Sequence, residues 1–375
     1  MNYFFLFLFI FLFACSGSKQ TSHKLVATEF EVASLADVGI ETSLINKMDS
    51  QIINGTYPNI HSVLIAKNNK LVFEKYYTGK DENWGDNLGV RTHHRDSLHD
   101  IRSISKSIVS ACIGIAIVQG RIKSVNEKVL DFFPEFKSLD TGLKSQLTIR
   151  HLLTMSTGLV WNEEVPYTDS NKSEIRMIRS SNQAQFVLSQ PMEHAPGLKW
   201  KYNGGATQLL AGIIEKLTGK KIDGFADEYL FQPLGITRYE WNRYPGTQIP
   251  AAASGLRLTS RDLLKFGILY LNGGRYNKQI LPANWVKESM KEQITRPIPQ
   301  GSLKAGYGYQ FFTRSVSVNN KVANATIAIG NGNQRIFVDT ENNMVVVVTA
   351  GNYNTWDIKN NSDALVYNFV YPALK

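Results

Sequence analysis

The distribution of apolar and polar positions divides the chain into a leader, two strand-rich ends and a helical middle. Met1 to Phe13 is almost wholly apolar, and a polar stretch from Ser16 to about Val26 follows it as a tether. Within Glu41 to Ile53, Leu44, Ile45, Met48 and Ile52 recur at helical spacing and predict an amphipathic helix. His61 to Lys67 and Lys70 to Tyr77 read as two strands joined by the turn signal Asn68-Asn69. Thr78 to Asp100 is polar, glycine-bearing and non-periodic, which predicts a loop. From there to about Gly246 helical patterns dominate, clearest in Ile149 to Met155, Ser173 to Gln190 and Thr207 to Leu217. Strand character returns in Tyr307 to Phe312, Ala325 to Ile329, Gln334 to Val338 and Met344 to Thr349, and Asp363 to Tyr371 reads as a closing helix.

A lone N-terminal hairpin cannot bury a sheet face. The economical arrangement joins it to the late strands, giving an α/β (α+β) fold: an antiparallel sheet from both chain ends, flanked by helices. The mainly helical middle becomes an inserted lobe. The expected division is residues 1–14 as leader, 15–26 as tether and 27–372 as one domain. Within that domain a sheet lobe takes about 27–100 and 247–372, and a helical lobe about 101–246.

Composition narrows the function. The net charge of +9 comes from scattered basic residues, with Lys199-Trp200-Lys201 and Lys220-Lys221 the tight pairs, so no nucleic-acid partner is implied. Two cysteines, Cys15 and Cys112, hold no zinc or iron–sulfur spacing, and Cys112 falls in an apolar helix where burial is its expected role. His93, His94 and His99 are crowded together, but no His-x-x-x-His or His-Glu-x-x-His pair lies on a helix. The sequence therefore implies no metal and no cofactor.

Ser103 and Lys106 carry the candidate chemistry. They open a helix that runs into Ala111-Cys112-Ile113-Gly114-Ile115-Ala116-Ile117-Val118. Residues i and i+3 share a helix face, so the Lys106 amine can meet the Ser103 hydroxyl. A helix N-terminus favours developing negative charge there. A lysine shielded from water holds a lowered pKa and can take the hydroxyl proton without a histidine. An N-cap serine beside a solvated lysine would look the same at this level.

More segments join this pair: Leu147 to Leu159, His194 to Tyr202, Leu209 to Glu215, Ala253 to Asp262, Leu281 to Val286 and Gly330 to Gln334. Together they resemble the serine β-lactamase-related family: class C β-lactamases, D-alanyl-D-alanine carboxypeptidases, esterases and 6-aminohexanoate-dimer hydrolases. The resemblance runs from about residue 40 to 372 and includes the Ser-x-x-Lys signature. It implies Ser103 as nucleophile, Lys106 as its base and Tyr202 as the tyrosine of a Tyr-x-Asn element. Gly204 stands where the family asparagine would be, with Asn203 one residue early. Ala328-Ile329-Gly330 replaces the family's Lys-Thr-Gly or His-x-Gly strand, so the cation that holds a β-lactam carboxylate is missing. The backbone N–H groups of Ser103 and Asn331 would form the oxyanion hole. Asn203, Gly204, Ala328, Gly330 and Gln334 are expected to line the substrate cleft. The function implied is hydrolysis of an ester or amide through an acyl-enzyme, on a small-molecule, glycan-ester or peptide-like substrate. A β-lactamase or D-alanyl-D-alanine carboxypeptidase is the alternative within the fold. A catalytically silent glycan- or peptide-binding member is the alternative outside catalysis.

The leader ends in Leu12-Phe13-Ala14-Cys15, which resembles a bacterial lipoprotein signal with Cys15 as the lipidated residue. It implies a domain outside the cytoplasm, held to a bacterial membrane by its lipid; Ser16 after the cysteine points to the outer membrane. Cys15→Ala is accordingly expected to shift the protein from the detergent to the aqueous phase on partitioning. Equal aqueous recovery of both forms would rule the anchor out.

Overall fold

The computed structural model describes Met1 and residues 29–355 and 357–375. The leader, Cys15 and the tether lie outside the described residues. Strands β1 (Ile60–Lys67), β2 (Lys70–Tyr76), β3 (Thr78–Asn83), β4 (Asp86–Thr92) and β5 (Leu98–Asp100) precede the helical part. After it come β6 (Leu256–Thr259), β7 (Ile294–Thr295), β8 (Lys304–Tyr307), β9 (Phe312–Val318), β10 (Lys321–Gly330), β11 (Gln334–Asp339) and β12 (Met344–Ala350). The main sheet is antiparallel and eight-stranded, in the order β7-β8-β9-β10-β11-β12-β1-β2. The first hairpin is thus stitched to the last strands, with Ile65 opposite Val346. The fold is α/β (α+β), its antiparallel sheet built from both chain ends and flanked by helices, with a helical lobe inserted between them.

The sheet is covered on both faces, and the alternation of side chains shows how. On β12, Val345 and Val347 face one hydrophobic cluster, while Val346 and Val348 face the other. The second cluster is completed by helix α1 (Thr42–Ile53), through Ile45, Met48 and Ile52, and by the terminal helix through Val366, Phe369 and Val370. The first cluster contains α2 (Ile104–Val118), α3 (Gly204–Thr218) and α4 (Ser260–Leu271). Residues Ile104 to Ala116 of α2 are all buried, the pattern of a helix enclosed on every side. Gly114 leaves room there for Trp285, whose indole would lie 2.6 Å from an added Cβ.

Several segments differ from the sequence reading. Thr78 to Asp100 is not a loop: β3 and β4 pair as a hairpin and β5 joins a small sheet with β6. The hairpin escapes the alternation test because β4 is almost entirely exposed and so has no apolar face. Tyr307 to Phe312 is a turn between β8 and β9, with Gln310 at φ 65°. Ser173 to Gln190 is two helices, Ser173–Ile178 and Gln183–Leu188, the second capped by the Asn182 side chain.

Helix α4 lies so close to the sheet that Gly267 has no space for a side chain: an added Cβ would sit 2.5 Å from Val345 and 3.0 Å from Ile336. Gly267→Val should lower stability by about 1–3 kcal/mol through overpacking. Urea unfolding reads this directly, and an unchanged midpoint would show that the sheet yields to the helix.

Candidate active site

Short backbone segments from the sheet and the inserted lobe converge at the start of α2. Arg102, immediately before Ser103, has the left-handed φ of 48°, uncommon for a residue with a side chain. Its surroundings hold it there. The guanidinium pairs with Glu82 and lies 2.9 Å from Asp100, and its face lies 5.0 Å from the Tyr353 ring centre. Burial pushes the Asp100 carboxyl up to about 6, against the pull of Arg102. Strain held by such over-determined packing is common at functional sites.

Lys106 Nζ donates to Ser103 Oγ at 3.0 Å and to the Ala253 carbonyl at 2.8 Å. Only 2% of Lys106 is exposed. Burial lowers its pKa, while the carboxylates of Glu163 and Glu174 act in the opposite direction. The Tyr202 ring lies 4.9 Å from the ammonium. The Tyr202 hydroxyl is pushed well above the ordinary tyrosine range by burial and then by the Glu163 charge, against the contact with the Ser103 side chain. The phenol is therefore neutral at pH 7. The structure brings Ser103, Lys106 and Tyr202 together.

The strand side of the site is set by Gly330. A Cβ there would come within 2.3 Å of the Ile101 carbonyl oxygen, so β10 ends hard against the segment carrying Ser103. Next in the chain, Asn331 is held by two hydrogen bonds with Asn354, 2.7 Å from its Nδ2 to Oδ1 and 2.9 Å from the Asn354 N–H to its Oδ1. This pair fixes the backbone proposed for the oxyanion hole.

Three of the expected cleft residues are placed otherwise. Gln334 is fully buried; its amide donates to the Ala350 carbonyl and accepts from the Ala350 N–H at 3.1 Å, so it ties β11 to β12. Asn203 is buried and caps α3, its Oδ1 accepting from the Ala206 N–H at 3.0 Å. Ala328 is buried in the cluster beneath the helices. Gly204 does sit beside the site, but its neighbour is Glu163, whose Oε1 would lie 3.0 Å from an added Cβ.

Glu163 is the residue that sequence reasoning missed. Its Oε1 accepts from the Gly204 N–H at 2.5 Å and from the Trp161 indole N–H at 2.6 Å. It therefore occupies the room left where the family asparagine side chain would stand. Burial raises its pKa to about 7; the Glu174 charge adds to this and Lys106 opposes it. No local spacing marks Glu163, since its partners come from elsewhere in the chain. A cavity of about 440 Å³ opens beside it, lined by Glu163, Val165, Pro166, Tyr167, Lys172 and Asn354.

The chain matches the Beta-lactamase family over residues 46–365 and belongs to it. That family shares the serine-hydrolase fold that works through an acyl-enzyme. The chain is 26% identical over 216 residues to an Escherichia coli K12 protein provisionally named a D-alanyl-D-alanine carboxypeptidase, covering 54% of this chain and 48% of that protein. It is 25% identical over 181 residues to esterase EstB of Burkholderia gladioli, covering 46% of this chain and 44% of that one. The chain thus spans about half the length of these curated relatives. In structure it is similar to EstCE1, a hydrolase with promiscuous acyltransferase activity: TM-score 0.70, 15% identity, covering 91% of this chain and 100% of that chain. At that identity the likeness speaks for the fold.

The raised pKa of Glu163 fixes the sign of a stability effect. Because the folded chain holds this proton more tightly than the unfolded one, the contribution is full below about 4.5 and is lost as pH rises through about 7. The stability of the wild type relative to Glu163→Gln should therefore fall between those values, as read by denaturant unfolding across the range. A flat difference would show that Glu163 keeps its ordinary pKa.

Proposed function

We propose that this chain is a serine hydrolase that forms an acyl-enzyme on Ser103, with esters preferred to amides. The observation that carries the reading is the 3.0 Å contact between Ser103 Oγ and the buried amine of Lys106 at the head of α2. Burial favours the neutral amine, the form able to accept a proton. Ser103 Oγ attacks the carbonyl carbon as its proton passes to Lys106 Nζ. The carbonyl electron pair moves to the oxygen, held by the Ser103 and Asn331 N–H groups. Collapse expels the alkoxide or amine, which takes a proton relayed from Lys106 through the neutral Tyr202 hydroxyl. Water then repeats the sequence in reverse and frees the acid.

The substrate reading rests on charge. Ala328 supplies no cation, and the nearby Arg335 is already neutralised: Nε lies 2.6 Å from Asp363, which Arg314 also binds at 3.0 Å. A charge-assisted hydrogen bond to a substrate carboxylate is worth about 1.5–3 kcal/mol; without it an anionic β-lactam loses about 10- to 100-fold while a neutral ester loses nothing. The cavity beside Glu163 offers an acyl group the largely apolar walls of Val165, Pro166 and Tyr167. The name of the Escherichia coli relative favours a second reading, a β-lactamase or D-alanyl-D-alanine carboxypeptidase. The leader motif at Cys15 supports anchoring of the domain by lipid outside the cytoplasm. Among the described residues no helix is long and apolar enough to cross a membrane.

Ser103→Ala should abolish turnover and fluorophosphonate labelling with little loss of stability, because the hydroxyl makes no cap hydrogen bond on α2. Lys106→Ala should be comparably severe, and the double variant no worse than either single one. On matched substrates, kcat/KM for a short-chain neutral ester should exceed that for a chromogenic cephalosporin by about tenfold or more. Near-wild-type turnover in either variant would remove the assignment; a large preference for the cephalosporin would overturn the esterase reading in favour of the second.

A further inference from the structure

Beneath the Ser103 segment lies a cluster that catalysis does not use. His61 on β1, His93 just after β4 and His99 on β5 come together from three separate parts of the sheet lobe. All three are buried, at 0%, 5% and 0% exposure. One candidate ligand nitrogen from each lies within 4.8 Å of the others. Most of their nitrogens have no hydrogen-bond partner: His61 Nδ1, His93 Nε2 and both nitrogens of His99. Buried polar atoms left unmatched cost about 1–3 kcal/mol each, so four in one place call for an explanation. We propose that His61, His93 and His99 form a binding site for a divalent transition metal of the zinc class, with a water from the adjoining cavity as fourth ligand.

The surroundings fit this chemistry. His61 Nε2 lies 2.8 Å from the Lys80 carbonyl and donates to it, leaving the Nδ1 lone pair free. Metal-binding histidines are characteristically oriented by a carbonyl or carboxylate on the other ring nitrogen. The space for the His61 ring is made by glycine. A Cβ on Gly351 would meet the Lys80 carbonyl at 1.9 Å and His61 Nε2 at 2.6 Å, and one on Gly79 would meet the His61 ring at 2.9 Å. Burial, first among the causes, lowers His61 to about 3 and His93 to about 4, so neutral imidazoles with available lone pairs face one another at pH 7. His93 opens onto a cavity of about 320 Å³ that is also lined by Asp81. The Asp81 carboxyl is 4% exposed and accepts a hydrogen bond from its neighbour Glu82 N–H. It provides negative charge for a cation there, against Arg91 and Arg257 in the same wall; Arg257 is itself paired with Glu240.

Closing the site needs side-chain rotation. Tetrahedral zinc ligands at about 2.0–2.1 Å lie about 3.3 Å apart, and the His61 and His93 rings are stacked, centroids 3.8 Å apart at 20°. His99 has no hydrogen bond holding its ring, and neither does His93 Nε2, so turning these rings breaks no hydrogen bond at those atoms. A metal there would pin β5, four residues before Ser103, to β1 and the β3–β4 hairpin. The role is structural rather than a step in the hydrolysis.

The test is metal binding by the full purified chain after chelator treatment and dialysis. Zinc should rebind at one equivalent per chain and raise the melting temperature, and cobalt should give the visible spectrum of a four-coordinate nitrogen site. His99→Ala should weaken zinc by about 100-fold or more, beyond the ~10–100-fold cost of losing an outer partner of a ligand. His93→Gln, nearer the cavity and kinder to folding, should do the same; His94→Gln, an exposed neighbour, should not. Absence of zinc uptake at micromolar concentration overturns the site. So does uptake that His93→Gln leaves unchanged, which would mark adventitious binding elsewhere. Neither readout depends on turnover by Ser103, so failure here and failure of the hydrolase reading are separable.

Discussion

Lys106 is an amine removed from water, and the site is arranged around the cost of that removal. Taking an ammonium out of water costs several kcal/mol even after relaxation. The Ala253 carbonyl and Ser103 Oγ return part of it as hydrogen bonds. Two carboxyl groups, Glu163 and Glu174, would return more by holding the amine charged, and a lysine held charged is no base. The conflict is relieved because Glu163 is itself driven towards protonation by burial and by Glu174. Burial thus acts on both groups, lowering Lys106 and raising Glu163, so each weakens the charge that would hold the other ionised. The same enclosure keeps the Tyr202 phenol neutral.

Backbone contacts set the rest of the geometry. Gly330 admits the Ile101 carbonyl to a distance no side chain would allow, and Arg102 is turned into a left-handed conformation by its acidic partners. These two adjustments bring the end of a sheet strand and the start of a core helix into register, one from each side of the cleft. The Asn331–Asn354 pair then stiffens the strand side. Gln334, with both its amide atoms bonded to Ala350, does the same one strand further in.

What could be read from the sequence was what local periodicity encodes. Ser103 and Lys106 are three apart on a strongly apolar helix, so their meeting needs no tertiary information. The β-branched run Met344 to Thr349 and the Asn68-Asn69 turn were equally plain. The β3–β4 hairpin was invisible because its exposed face carries no apolar alternation. Asn203 and Gln334 read as cleft residues through their places in the family-like motifs, and a motif position carries the same signal whether its side chain faces a substrate, caps a helix or binds a neighbouring strand. Glu163 and His61 were missed for a different reason. Each acquires its environment from residues far away in the chain, and no spacing rule reaches across that distance.

The placement of β1 beside β12 also governs how the molecule is made. Ile60 pairs with Ala350, so the centre of the sheet is empty until nearly the whole chain is available. Contacts of such long sequence separation bring their loop-closure cost forward and slow folding. Until β12 arrives, the β1 edge carries unpaired N–H and C=O groups flanked by Val63, Leu64 and Ile65, a surface that pairs readily with other chains. A newly synthesised chain therefore cannot close the centre of its sheet until Met344–Ala350 has been made. The sheet that supports Ser103 thus acts as a timer, its completion waiting until synthesis is almost finished.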